Sequence, residues 1–268
     1  MKEITLGKKK NGMAVLLLTI LLYLAAVAAV IVGGILESYI LLGVGCFWLH
    51  VGWLPFLGLK VLKPQEALVL TLFGKYLGTL RGDGFFYVNP FCTAVNPAAK
   101  TRLNQSGDVD SKSSGESILL TPTAGTVPMV DKRISLKVMT LNNNRQKIND
   151  CLGNPVEIGI AVTWRVVDTA KAVFNVDNYK EFLSLQCDCA LRNIVRLYPY
   201  DVAPNVDTTG DGIADEGSLR GSSEIVAARI RDEIQQKVSE AGLEIIEARI
   251  TYLAYATEIA AVMLQRQQ

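Results

Sequence analysis

Histidine is almost missing: the chain has one, His50, among 268 residues, and it lies inside an apolar stretch. A soluble part without imidazole has no Ser/His or Cys/His nucleophile pair, no histidine general base and no histidine-ligated metal. An excess of charge is missing too. Lys and Arg number 27 against 26 Asp and Glu, for a net charge of +1, so the chain carries no basic footprint for nucleic acid. No Cys-x-x-Cys occurs, and the five cysteines, Cys46, Cys92, Cys151, Cys187 and Cys189, are odd in number. That usage fits free thiols in a reducing compartment and speaks against a disulfide scaffold or a zinc site. Neither a P-loop nor a nucleophile elbow is present. The expectation is a protein that is not an enzyme, with no catalytic, cofactor-binding or metal-ligating residues.

What the chain does have is an apolar block from Met13 to Leu62, whose only charged side chains are Glu37 and Lys60. Met13 to Leu36 is uncharged throughout. At 1.5 Å per residue this makes about 36 Å of helix, more than the roughly 30 Å of a bilayer's hydrocarbon core. The second run, 38–62, is weakened as a straight helix by Pro55 and by Gly43, Gly45, Gly52 and Gly58. A kinked helix fits it, because neighbouring helices re-satisfy backbone groups freed by a proline in a membrane. Lys2, Lys8, Lys9 and Lys10 precede the block and Lys60 and Lys63 close it, while the turn carries only Glu37. By the positive-inside rule both ends face the cytoplasm. The expected localisation is a two-span membrane protein with its N-terminus and its soluble domain cytoplasmic. A signal peptide is the rival, since basic residues precede the run and Ala26-Val27-Ala28 looks like a cleavage site. Against it, the run continues through Leu36 without a polar break. His50 raises a third reading, a transporter or channel subunit, because ionisable groups at membrane depth are functional candidates. No second ionisable group lies in either span to partner it, and Trp48 and Trp53 beside it are interface residues.

Beyond Pro64 the pattern becomes β-like. Ala67, Val69, Thr71 and Phe73 alternate with Leu68, Leu70 and Leu72, which reads as a strand buried on both faces. Gly78 and Gly82-Asp83-Gly84 supply turns before Phe85 to Val88. Arg81-Gly82-Asp83 spells an adhesion tripeptide, but turn chemistry already accounts for these residues. Residues 93–131 are rich in Ser, Gly, Asn, Thr and Pro and read as a long mobile loop, with a glycosylation pattern at Asn104-Gln105-Ser106. Strand signals resume at Ile134, Leu136, Val138 and Thr140, then at 156–167, around the tight loop 152–155. Asp168 and Asn178 are helix N-caps, the latter with Glu181 at capping-box spacing. A helix to about Tyr198 follows, with Tyr179, Phe182, Leu183, Cys187, Ala190, Leu191, Ile194 and Leu197 on its core face. Cys187 and Cys189 point apart on a helix and cannot share a metal. Residues 207–218 partly match a calcium loop through Asp207, Asp211 and Gly212, yet Thr209 and Ser218 replace acidic ligands, so a solvated turn fits better. Val226, Ile230, Ile234 and Val238 make the next helix amphipathic, Gly242 ends it, 243–253 reads as a strand, and Thr257 begins a last helix.

Taken together, Lys63 to Lys75 (KPQEALVLTLFGK), Gly84 to Phe91 (GFFYVNPF), Gly153 to Ile158 (GNPVEI), Trp164 to Ala170 (WRVVDTA), Glu247 to Ile250 and Leu253 to Ala256 resemble the SPFH or band 7 domain. Stomatins, prohibitins, flotillins and bacterial regulators of membrane proteases share it. The resemblance implies an α+β fold of antiparallel strands and amphipathic helices, and a non-catalytic scaffold that oligomerises on a membrane. Its implied partners are the lipid bilayer, further copies of itself, and a membrane protease or other integral membrane protein. The organisation so implied is a basic segment 1–12, a helical hairpin of 13–36 and 38–62, the SPFH domain over 63–256 with an insertion at about 93–131, and the start of a helix at 257–268. Members usually continue from the last strand into a long helix or coiled coil that helps assembly.

Overall fold

A computed structural model describes residues 3–6, 11–101, 103, 131–201 and 217–260. The chain divides into two compact units, one of 2–96 with 132–135, the other of 97–131 with 136–268. The class is α+β, as the sequence implied.

In the first unit β1 (Thr5–Leu6) precedes three helices, α1 (Gly12–Ile35), α2 (Tyr39–Val51) and α3 (Leu54–Leu57). Strands β2 (Leu59–Leu62), β3 (Glu66–Leu72), β4 (Lys75–Arg81), β5 (Gly84–Tyr87), β6 (Cys92–Ala94) and β7 (Ile134–Ser135) follow. One sheet runs β1-β4-β3-β6, with β7 also on β3, and β2 pairs with β5 as a separate ribbon. β1 is parallel to β4, with Thr5 opposite Thr79. β3 is buried on both faces, as its unbroken apolar run demands. One face packs Leu68 and Leu70 on Leu62, Leu80, Phe86 and Cys92. On the other face Val69 is fully buried, and Thr71 and Thr93 share a hydroxyl hydrogen bond of 3.0 Å.

Three boundaries differ from the pattern-based expectation. The second apolar run does not stay helical to residue 62, because Gly58 ends α3 and Leu59–Leu62 pairs with Gly84–Tyr87. Pro55 sits in the first turn of α3, where its missing N–H is not needed. Phe73 is not part of β3: it is 88% exposed and turns the chain toward β4. The alternation read through 134–140 is broken, because β7 belongs to the first unit and the strand that follows to the second. That handover shifts the buried phase from Ile134 to Met139 and Leu141 and leaves Val138 exposed.

The second unit holds β8 (Met139–Asn142), β9 (Gln146–Asn149), β10 (Pro155–Val166), α4 (Thr169–Phe174), α5 (Tyr179–Val195), α6 (Ser223–Val238) and β11 (Leu243–Tyr255). β10 is central, with β11 antiparallel on one side and β8 then β9 on the other. Its even-numbered residues from Val156 to Val166 are all buried, the period of two expected of a strand. Ile158, Ile160, Val162 and Trp164 of β10, Leu183 and Leu191 of α5, and Ile230 and Ile234 of α6 are each fully buried, and α6 packs on both β11 and α5. The loop into β10 is built on Asp150. Its carboxylate accepts from the N–H groups of Leu152 (2.9 Å), Asn154 (2.7 Å) and Tyr200 (3.2 Å).

Asp168 caps α4 by accepting from the Lys171 N–H at 2.9 Å, and Asn178 caps α5 by accepting from Lys180 and Glu181 N–H. The Asn178 amide also donates to the Thr101 hydroxyl at 2.6 Å. The start of the Ser/Gly-rich stretch is therefore ordered structure: Thr93 and Ala94 lie in β6, and Pro97–Lys100 form a 3-10 turn with Ala98 fully buried. Residues 104–130, with the Asn104 pattern, lie outside the described residues, as does the calcium-like segment through Glu216. The buried stripe of α5 runs through Tyr179, Leu183, Cys187, Ala190, Leu191 and Val195, while Leu197 is exposed beyond the helix end. Gly242 closes the turn into β11 with φ 67°, and a Cβ there would stand 2.3 Å from the Asp168 carbonyl oxygen. Only glycine satisfies both conditions. Residues 257–260 are helical, and the rest of that helix is outside the described residues.

Candidate functional site at the base of the apolar hairpin

α1 and α2 lie side by side because small residues line their contact. At Gly45 an added Cβ would meet Val30 Cγ2 at 2.6 Å and the Ala26 carbonyl at 3.0 Å, and at Gly33 it would meet the Leu42 nitrogen at 2.9 Å. These glycines cost helix propensity but let the backbones approach, the usual basis of helix pairing in lipid. Tyr23 adds a bond from its hydroxyl to the Leu49 carbonyl at 3.4 Å and a ring contact with Phe56 at 6.1 Å. The outer faces are apolar and uncovered, with Leu17, Leu21, Leu24 and Ile31 on α1 and Ile40, Val44 and Phe47 on α2 all exposed. Gly12–Ile35 and Tyr39–Leu57 are each long and apolar enough to cross a membrane, and only 11% of either window is buried. A core helix of a soluble domain would be mostly covered, so the pair points to membrane association.

The open end of the hairpin is fastened to the first unit's strands. A Cβ at Gly12 would stand 2.8 Å from the Phe85 backbone, and the Val88 N–H donates to the Gly58 carbonyl at 2.9 Å. Just before α1, β1 joins the edge of β4. Glu3 then reaches Arg81, its carboxylate 2.7 Å from the guanidinium Nε and accepting from Nη2 at 2.8 Å. Sequence reading missed this strand, because two residues carry no periodicity and their partner lies far along the chain. The pairing also explains Arg81-Gly82-Asp83: Arg81 is half-buried in an ion pair and Gly82 turns the chain with φ 94°.

The remaining candidates are placed as follows. His50 lies on the exposed side of α2, its Nδ1 3.1 Å from the Cys46 carbonyl of the preceding turn. Cys187 is fully buried, and that burial, with Asp188 beside it, pushes its thiol up to about 12. Cys92 and Cys151 are also raised, both mainly by burial. None of these three has the lowered pKa of a reactive thiol. Ser218 is fully buried and its hydroxyl accepts from the Gly221 N–H at 2.8 Å, so it faces inward. Among the described residues no cluster of three His, Cys, Asp or Glu could hold a metal.

An α+β domain carried on a paired apolar hairpin is the class so defined. Residues 60–268 match the SPFH domain / Band 7 family, and the chain belongs to that family. No curated protein matches it. Proteins of this family are in general non-catalytic, membrane-associated scaffolds.

Proposed function

We propose that the chain is a membrane-anchored scaffold that self-associates on the bilayer and gathers or restrains integral membrane proteins, such as a protease or a channel. The observation that carries this reading is the fastening of both ends of the hairpin to strands of the same unit: β1, before α1, on β4, and β2, after α3, on β5. A hairpin held so returns the chain to the side it left, leaving the N-terminus and the domain on one face of the membrane. Lys60 and Lys63 at the exit, with the lysines of the N-terminal segment, favour the cytoplasmic face. Anchoring in two dimensions raises the effective concentration of copies, which favours assembly without a strong pairwise contact.

Self-association is the testable core of the reading. Extracted in mild detergent, the protein is expected to run as a large oligomer by light scattering, and crosslinking in native membranes is expected to give a ladder. A strictly monomeric species in both would overturn the proposal. The alternative, a transporter or channel subunit, rests on His50, which lies on the exposed side of α2; a His50→Leu variant that leaves every ion or solute flux unchanged would end it.

A further inference from the structure

β3 and β4 are joined by two residues, Phe73 with φ 48° and Gly74 with φ 83°, between the pair Leu72 and Lys75. Two positive φ values make the mirror-image hairpin turn that strongly prefers Asn-Gly or Asp-Gly. Gly74 suits it. Phe73 does not, since a bulky side chain in this region is a steric outlier. No core contact offsets the strain, because the side chain is the most exposed large hydrophobic of the described residues, at 88%. Its ring lies beside that of Phe91, itself 57% exposed, stacked at 6.5 Å between centroids and 24° between planes. Strain kept at an exposed aromatic is a reason to look for a function there.

The place of the pair identifies the occupant. β6 sets Cys92 opposite Leu72, which brings Phe91 beside Phe73. Phe91 is held by Asn89, whose side-chain oxygen accepts from the Phe91 N–H at 3.0 Å and whose carbonyl accepts from the Cys92 N–H at 3.0 Å. Directly before Asn89, Val88 bonds the Gly58 carbonyl at the end of the second apolar span. Phe91 thus lies three residues beyond the one that bonds the end of the hairpin, and Phe73 lies beside Phe91. Lys75 follows the turn with an exposed side chain. Apolar side chains such as Phe, with lysine beside them, are what a shallow contact with the boundary of a bilayer uses.

We propose that Phe73 and Phe91 form a second membrane contact, dipping into the interfacial layer of the bilayer beside the base of the hairpin and fixing the tilt of the first unit against it. This rests on the reading of the hairpin as a membrane anchor. The test uses the full chain in phosphatidylcholine/phosphatidylglycerol vesicles containing lipid brominated near the top of the acyl chain. With Trp48→Phe and Trp53→Phe in place, Trp164 is the one tryptophan left and is fully buried, giving an unquenched baseline. Adding Phe73→Trp to that background should give emission of which about half is lost to the brominated lipid. A companion protein with Trp48→Phe alone keeps Trp53 as a reporter of the anchor. Quenching at Trp53 with none from position 73 would overturn the second contact and leave the anchor standing; quenching at neither would overturn both. A second variant, Phe73→Asn, installs the favoured turn pair and should raise the melting temperature in detergent by about 2–4 °C. A lower melting temperature would mean that the ring supports the fold and would contradict the proposal.

Discussion

Burial of single side chains has consequences that can be measured one residue at a time. Cys187 sits fully buried on the core side of α5, with its thiol pushed up to about 12 from an ordinary 9.0. Below pH 9 the folded and unfolded chains both keep this proton, and the stabilisation from the raised pKa is fully present. As pH rises from 9 toward 12, the unfolded chain releases the proton that the folded chain holds, and stability is lost. The limiting slope is about 1.4 kcal/mol per pH unit for one thiol. Cys187→Ala should therefore unfold in denaturant with a flatter pH dependence above pH 9 than the parent; identical slopes would contradict this account of its burial. In the native protein a thiol reagent at neutral pH should modify exposed Cys151 and Cys189 and spare Cys187. Helical spacing alone placed Cys187 on the core side, because neighbours at three and four positions were apolar. No such logic reaches Phe73: its place in an apolar alternation reads as strand, and only the pairing of Leu72 with Lys75 makes it a turn.

At the scale of elements, those whose signal is local were legible and those made by distant partners were not. β10 and α6 repeat apolar residues at two and at four, and both fold where their patterns put them. β1, with two residues, exists only because β4 offers an edge. The break between β7 and β8 arises because consecutive residues serve different units, which no window of sequence records. The glycines of α2 read as weakness in a helix, and their purpose appears only against α1. Gly45 gives a direct test, because its Cβ would press on Val30 while one at Gly43 would meet nothing within 4 Å. Gly45→Val should cost about 1–3 kcal/mol by overpacking, read as a lower melting temperature in detergent. Gly43→Val on the same helix should leave that temperature nearly unchanged. Equal effects would show that helix propensity, rather than packing between α1 and α2, governs the hairpin.

For the whole molecule, the hairpin and the family together account for membrane association, and the family accounts for the scaffold role. The block of uncharged residues, the near absence of histidine and the spaced SPFH-like segments were all visible in the sequence because each is a matter of composition or short spacing. How the two ends of the hairpin are held was not, since it depends on β1 pairing with β4 and β2 pairing with β5. In the proposed function those pairings make the apolar block an anchor with both of its ends on one side of the membrane. Sidedness is measured most directly by cysteine accessibility in intact cells, with a membrane-impermeant maleimide and the Ser38→Cys variant compared with its parent. Ser38 precedes α2 at the tip of the hairpin, and native Cys151 lies exposed in the second unit. The account predicts labelling of the variant from outside and protection of Cys151 until the membrane is opened. Labelling of Cys151 from outside, with the new thiol at position 38 protected, would contradict it.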